Sequence, residues 1–196
     1  MSTERFHDGG TRLEQFVTAV DVVCPSCGRR AIARPRCDEV GARVVCRRCS
    51  YVADETTSGW LGQVRGIASR RCPSCGERLE RRFGGPRHDR HEHLVCSCGW
   101  QVDAEVRWDP VLVEGCDPLF GLELWLRTPC RGELLWAYDA QHLQFLKDYV
   151  SADLRERQPK LNTSVASRLP KWMKSAQHRD AVLAAIAKLE ARDRET

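Results

Sequence analysis

Eight of the eleven cysteines in this chain fall into four close pairs, and thiols grouped in this way can bind metal ions. Two pairs share the motif Cys-Pro-Ser-Cys-Gly, at residues 24–28 and 72–76, and each is followed by another pair, at residues 46–49 and 96–98. Two such turns together supply the four thiolates of a tetrahedral site. The predicted ligands are Cys24, Cys27, Cys46 and Cys49 in a first site and Cys72, Cys75, Cys96 and Cys98 in a second.

The donor set favours zinc, with two Zn²⁺ ions per chain. The glycine after each Cys-Pro-Ser-Cys permits the positive φ that such a turn needs, and the turn's N–H groups can then donate to the sulfurs. A four-thiolate zinc site carries a formal charge of about −2, which Arg29, Arg30, Arg47 and Arg48 would compensate at the first site. Iron is the alternative metal and would make the protein a rubredoxin-like electron carrier.

The second site departs from the pattern, because Cys96 and Cys98 are separated by one residue instead of two. Three nearby histidines, His88, His91 and His93, could supply a ligand in place of Cys96. We favour Cys96 because it aligns with the equivalent cysteine of the first site, and we expect the histidines to lie in an exposed loop.

The remaining cysteines, Cys37, Cys116 and Cys130, have no close partner and are expected to be small buried apolar residues. An odd cysteine count, the tight pairs and a charged N-terminus without an export signal indicate a reducing compartment. No apolar stretch approaches the roughly 20 residues that cross a bilayer. We therefore expect a cytoplasmic protein without membrane contact.

An internal repeat organises the first two thirds of the chain, since corresponding cysteines of the two sets are 48 to 50 residues apart. Each unit is predicted to hold three short strands, because alternating runs are separated by Gly, Pro and Asp. The predicted strands are Arg30–Arg34, Ala42–Cys46 and Tyr51–Asp54, then Arg78–Arg82, Glu92–Cys96 and Trp100–Val106. Between the units, the apolar residues of 56–71 predict a packed connector with one helical turn.

After residue 109 the pattern changes to strand, strand and helix. Residues Phe120–Thr128 and Glu133–Tyr138 are rich in strand-forming residues, and residues 129–132 are predicted to form the turn between them. Asp139 is expected to cap a helix over Ala140–Arg157, which would cover the hairpin. In the tail, Asn162 is predicted to cap a short helix that ends at Leu169, and a second short helix is predicted over Lys171–Lys174. A final helix is predicted after a Ser175 cap, with fraying from Arg192.

The predicted fold class is thus a small metal-bound β plus α+β protein. It comprises two tandem four-cysteine units followed by a β-hairpin–helix unit and a helical C-terminal tail. The predicted segments are an N-terminal extension (1–20), the first unit (21–55), the connector (56–71), the second unit (72–108), the strand–strand–helix unit (109–158) and a basic tail (159–196).

Over residues 20–106 the cysteine pairs and their glycines resemble the zinc-ribbon superfamily, as in transcription-factor-type ribbons. The stretch from Phe120 to Arg157, with the tail SRLPKWMKSAQHRDAVLAAI, is similar to bacterial proteins known only as zinc-ribbon-containing. The resemblance implies the ribbon architecture. It implies no activity, because ribbons serve in transcription, translation, replication and protein docking.

The chain has no phosphate-binding glycine loop, nucleophile motif or zinc-protease motif, so we expect it not to be an enzyme and to have no small-molecule substrate. Basic residues could neutralise phosphates, and a tryptophan could stack on an unpaired base. We therefore predict a protein that binds nucleic acid or scaffolds a nucleic-acid-handling complex. The candidate residues are Arg29, Arg30, Arg47, Arg48, Lys160, Arg168, Lys171, Trp172, Lys174 and Arg179. The alternative is a protein-docking adaptor whose acidic middle unit contacts a basic partner.

Overall fold

The computed structural model describes residues 5–36, 41–54, 59–84, 91–156 and 163–195. Its strands are β1 (Arg5–His7), β2 (Val20–Val23), β3 (Arg30–Pro35), β4 (Ala42–Val45), β5 (Val52–Asp54), β6 (Val64–Arg71), β7 (Arg78–Gly84), β8 (His91–Val95), β9 (Gln101–Pro110), β10 (Leu126–Cys130), β11 (Glu133–Ala137) and β12 (Leu154–Glu156). Its helices are α1 (Ala140–Ser151), α2 (Val165–Arg168), α3 (Lys171–Lys174) and α4 (Arg179–Asp193), with 3₁₀ turns at Leu13–Phe16 and Ala176–His178.

The first four-cysteine unit is an antiparallel meander in the order β2-β3-β4-β5. Its inward-facing residues are small, and Ala31, Ala33, Ala42, Val44 and Ala53 are all buried. The three predicted strands are present, and each differs from the prediction by one residue at one end. A fourth strand, β2, was not predicted and precedes the first cysteine pair.

The second unit forms another antiparallel sheet, in the order β7-β6-β9-β8. The helical turn predicted for the connector is wrong, because Val64–Arg71 is a strand at the interior of this sheet. Val64, Gly66 and Ala68 alternate inward, which is strand periodicity. Gly66 also has no room for a side chain, because an added Cβ would lie 2.5 Å from the Phe83 ring.

The two units share a cysteine pattern but differ in strand pairing. In the first unit, β3 follows the first cysteine pair, β4 precedes the second pair, and these two strands pair with each other. In the second unit β6 pairs with both β7 and β9, and β8 pairs with β9. The sequence repeat therefore does not give two copies of one sheet.

The predicted hairpin and helix are both present, but some of their first and last residues differ from the prediction. Pro129 and Cys130 belong to β10 rather than to the turn, which is made by Arg131 and Gly132 at positive φ. The strand predicted from Phe120 begins only at Leu126. Helix α1 begins after Asp139, whose carboxylate accepts the N–H of His142 at 2.7 Å.

The predicted helix to Arg157 is too long, since α1 ends at Ser151 and the chain turns into β12. Strand β12 pairs in parallel with β1, so the N-terminal segment is tied to this part of the molecule. Arg155 stabilises the turn by donating to the carbonyl oxygens of Tyr149, Val150 and Lys174.

In the tail, the short helix α2 is capped by Ser164, whose Oγ accepts the N–H of Ser167 at 3.1 Å. The predicted cap, Asn162, lies outside the described residues. Helix α3 is confirmed over Lys171–Lys174. Ser175 makes no side-chain cap, and it precedes a 3₁₀ turn rather than α4 itself. Helix α4 extends to Asp193, beyond the predicted onset of fraying.

The first unit and the C-terminal part are joined by β2. Val22 forms an antiparallel bridge with Leu124, and the backbone of Asp21 bonds to Tyr138 and Trp125 at 2.7 and 2.9 Å. The C-terminal core contains α1, α4 and the hairpin, with Leu126, Leu135, Leu146, Ile186 and Leu189 almost fully buried. Among the described residues, every helix is too short or too polar to cross a lipid bilayer.

Candidate metal centres

The first predicted set of cysteines comes together at one end of the β2–β5 sheet. The Sγ atoms of Cys24 and Cys49 are 3.6 Å apart, those of Cys27 and Cys46 are 3.7 Å apart, and all four lie within 4.8 Å of one another. A tetrahedral ion with Zn–S bonds of 2.3 Å requires sulfurs about 3.8 Å apart. The four sulfurs therefore have the spacing of a closed metal site.

Local backbone geometry explains this convergence. The Cys24 N–H donates to Arg29 at 2.7 Å, and the Gly28 N–H donates back to Cys24 at 2.9 Å. Gly28 adopts a φ of 69°, in the left-handed region that favours glycine. On the other side, the Cys46 N–H donates to Tyr51 at 2.9 Å, and Ser50 takes a positive φ of 58°. Each pair is thus held on a closed turn.

The second predicted set also converges. The Sγ atoms of Cys72 and Cys98 are 3.4 Å apart, and those of Cys75 and Cys96 are 3.3 Å apart. The shorter pair is accommodated by a tighter turn, in which the Cys96 N–H donates to Trp100 and Gly99 takes a φ of 91°. Each cluster can therefore hold one metal ion.

Each cluster also contains one thiol that ionises readily. The backbone N–H of Tyr51 lowers the pKa of the Cys49 thiol to about 7. Burial acts to raise the pKa of Cys72, but N–H groups of Cys75 and Ser74 and the neighbouring thiols lower it to about 6. Burial raises the pKa of Cys24. Because metal binding requires thiolates, an incoming ion displaces the protons that remain.

Arginines surround the first cluster and line a groove beside it. We call this the arginine groove; it has a volume of about 480 Å³. Its lining residues are Arg29, Arg30, Arg47, Arg48, Trp125 and Glu195. Arg30 is held by Asp21 through two bonds of 2.7 and 3.0 Å and lies 3.0 Å from a carboxylate oxygen of Asp193. The other three guanidinium groups have no partner within the described residues.

The indole of Trp125 forms part of this groove and is nearly buried, with 7% of its surface exposed. Its Nε1 atom is buried and has no hydrogen-bond partner in the described part of the chain. The guanidinium of Arg192 lies 4.1 Å from the ring centre and holds the indole by a cation–π contact. The indole is therefore a fixed part of the groove wall, and its N–H is buried away from the groove opening.

The second cluster has a more mixed charge around it. Glu77 follows its first cysteine pair and Ser97 lies within its second pair, at the positions that Arg29 and Arg47 occupy in the first unit, while Arg71 donates to the carbonyl oxygen of Gly76 at 3.1 Å. A carboxylate oxygen of Glu77 lies 2.7 Å from Ser97 Oγ and 3.1 Å from Cys96 Sγ. The Ser97 hydroxyl and the Cys96 thiol lower the pKa of this carboxyl.

The described histidines are not part of either cluster. His93 Nδ1 lies 2.8 Å from a carboxylate oxygen of Asp103, and His91 begins β8 with an exposed side chain. His88 lies outside the described residues. The four sulfurs of the second set therefore converge with Cys96 in place.

The single cysteines have other environments. Cys116 is half-buried, and Cys130 is buried with its Sγ 3.8 Å from the carbonyl oxygen of Ala181. Both are free thiols, while Cys37 lies outside the described residues.

The structure does not bring the basic tail residues to the arginine groove. Lys174 donates to the carbonyl oxygen of Ser167 at 2.7 Å, and Arg179 donates to Asp153 and Ala152. Lys171 is exposed. Arg168 and Trp172 line a separate apolar pocket, and Lys160 lies outside the described residues.

The sequence did not identify Trp125 and Glu195 as groove residues. Trp125 lies about 100 residues after the arginines and Glu195 about 150 residues after them, and nothing in their local sequence indicates this contact.

A four-thiolate site has no open coordination position, so its chemistry is to hold chain segments together. The arginine groove offers guanidinium donors that suit an anion. In comparisons with protein-family models, curated proteins and solved structures, nothing matches this chain.

Proposed function

We propose that the protein is a non-enzymatic, double zinc-ribbon protein that binds nucleic acid through the arginine groove. Unbridged thiols suit a reducing compartment such as the cytoplasm. Zinc is the proposed metal because structural four-cysteine sites favour it over harder cations.

The metal proposal is tested by elemental analysis of the purified protein. Two equivalents of zinc in a colourless sample support it, whereas stoichiometric iron and a red colour would indicate the electron-carrier alternative. Metal binding contributes on the order of 10 kcal/mol to the folding of small zinc units. We therefore expect chelation to abolish the near-UV signal of the ribbons, and an unchanged spectrum after complete metal loss would contradict the proposal.

The observation that carries the nucleic-acid proposal is the set of unpaired donors in the groove. Three guanidinium groups, Arg29, Arg47 and Arg48, converge there without carboxylate partners in the described residues. Guanidinium and N–H donors are the groups that bind phosphate oxygens.

Compensation of the thiolate charge does not by itself account for these arginines. The second cluster has the same four-thiolate composition, yet Glu77 and Ser97 occupy the corresponding positions. The second cluster forms with Arg71 and Arg78 beside it but without arginines at the positions of Arg29 and Arg47, so these two are available for an external anion.

The groove favours contacts to the phosphate backbone rather than to bases. Trp125 is too buried to stack on a base, and guanidinium groups make up most of the groove's lining. We therefore expect binding with little sequence preference. Neutralising about three phosphates gives a slope of log K against log salt near −2.7 for duplex DNA and near −2.1 for a single strand.

The test is fluorescence anisotropy with labelled single-stranded and duplex oligonucleotides at several salt concentrations. The double variant Arg47→Gln/Arg48→Gln should weaken binding and reduce the steepness of the slope by about 1.4 to 1.8. Glu195→Gln should strengthen binding, because it removes an anion from the same groove.

The matched control is Arg65→Gln/Arg70→Gln, which removes the same charge from exposed positions of β6 in the second sheet. If both double variants weaken binding equally, the groove is not the binding site. If the zinc-loaded protein binds no oligonucleotide at low salt, the nucleic-acid proposal is wrong. A stoichiometric protein partner that survives nuclease treatment would then favour the adaptor alternative.

A further inference from the structure

A second pocket, which we call the apolar pocket, opens between the β10–β11 hairpin, α1 and the α2–α3 segment. Its volume is about 200 Å³. Trp136 and Trp172 contribute aromatic walls, and Leu146 and Met173 are among its apolar lining residues. None of the four arginines of the arginine groove lines it.

One polar atom in the wall of this pocket, the Nε2 of His142, has no hydrogen-bond partner in the described part of the chain. His142 is 3% exposed and stacks on Phe16 with ring centres 4.6 Å apart. Its Nδ1 accepts the backbone N–H of Tyr138 at 3.2 Å, which fixes the proton of the neutral ring on Nε2. Within the described residues, that Nε2 has no hydrogen-bond partner.

The ring is held in this state by its surroundings. Burial lowers the pKa of His142 to about 4, so the imidazole is neutral at physiological pH. Trp136 and Tyr138 pack against the same ring at 5.7 Å. The Nε2–H is therefore a fixed hydrogen-bond donor that makes no hydrogen bond within the described structure.

Size and charge narrow the class of ligand. A cavity of about 150 Å³ with apolar walls is large enough to bind benzene, so this pocket accommodates one substituted ring. Glu114 and Arg168 both line the pocket and are exposed, and their opposite charges cancel. The pocket therefore has no net charge with which to select an ion.

We propose that the apolar pocket binds a neutral, single-ring aromatic compound with one oxygen acceptor, which receives the Nε2–H of His142. The ring would lie against Trp136 and Trp172, where aromatic packing adds to burial. This site is independent of the arginine groove and of the nucleic-acid proposal.

The test uses the full-length, zinc-loaded protein with phenol and toluene as probes of similar shape. Binding is followed by calorimetry and by the fluorescence of the pocket tryptophans. Both compounds should bind saturably, and Trp172→Ala should weaken both more than Trp172→Phe does. In His142→Phe the ratio of phenol affinity to toluene affinity should fall about fivefold, as for the loss of one hydrogen bond.

A second measurement covers the case in which His142→Phe does not fold. In the wild-type protein, phenol should shift the His142 Nε2 resonance further than the ring-current shift that toluene causes. The proposal is overturned if neither probe binds saturably, if Trp172→Ala leaves both affinities unchanged, or if phenol leaves the Nε2 resonance where toluene leaves it. Arg47→Gln/Arg48→Gln should not alter phenol binding, so failure of this site and failure of the nucleic-acid proposal are separable.

Discussion

Acidification should destabilise the protein through His142, and the size of the effect follows from its burial. The ring is almost completely enclosed, and desolvation lowers its pKa from the ordinary value of 6.5 to about 4. In the unfolded chain the same imidazole regains its ordinary pKa. Between these two values the unfolded state binds more protons than the folded state.

The sign follows from linkage, because stability rises with pH wherever the unfolded state holds the extra proton. The contribution of His142 is therefore fully present above pH 6.5 and is lost as the pH falls toward 4. With these two pKa values, the free energy of unfolding should drop by about 2 kcal/mol between pH 7.5 and pH 5, and by about 3.4 kcal/mol in the acid limit.

The assay is urea unfolding of wild-type protein and His142→Phe, in zinc-buffered solution from pH 7.5 to pH 5. The difference between the two unfolding free energies should change by about 2 kcal/mol over this range. Burial raises the pKa values of Asp21 and Asp139, but these titrations are common to both proteins and cancel. If the difference in unfolding free energy between the two proteins stays constant with pH, the argument that burial keeps the His142 ring neutral is refuted.

Two further substitutions test the site and the fold. Glu77→Gln should slow metal release from the second cluster to a chromogenic chelator, because it removes a carboxylate 3.1 Å from Cys96 Sγ. The control is Glu80→Gln in the same sheet. An unchanged release rate in Glu77→Gln would count against this charge effect. Asp117→Ala should lower the free energy of unfolding by about 3 to 5 kcal/mol in denaturant titrations. That carboxylate accepts three N–H groups in a buried loop at 2.6 to 2.9 Å, so a loss below 1 kcal/mol would show that the loop finds other acceptors.

The convergence of the cysteines could be predicted from sequence because the information is local. A turn of four or five residues places two sulfurs together, and the glycine that permits the turn is adjacent to the second cysteine, as at Gly28. The strands around the clusters follow from alternation over a few residues. The strand Val64–Arg71 carries the same alternation, but its apolar residues, taken together with Trp60 and Leu61, predict only a packed connector and do not distinguish a strand from a helical turn.

The pairing of the strands could not be predicted, because it depends on contacts between distant segments. Nothing in the repeat distinguishes a meander from a sheet with β6 at its interior. The arginine groove was predictable only in part: Arg29 and Arg47 are adjacent to cysteines, whereas Trp125 and Glu195 reach them from the C-terminal unit. The role of Asp117 in its loop could not be predicted, because the sequence does not show whether an acidic residue is buried or exposed.

The two units differ in ways that suit different tasks. Strand β2 bonds the first unit to Tyr138 and Trp125, so its cysteine cluster rests on the larger C-terminal core. The second unit has a small cluster of its own around Ala68, Leu79 and Leu94, and it has Glu77 where the first unit has Arg29. Because a small apolar cluster contributes little, we expect the second unit to depend more on a bound metal. The supported first unit with its arginine groove suits ligand binding, whereas the second unit is the part whose order we expect to respond to metal supply.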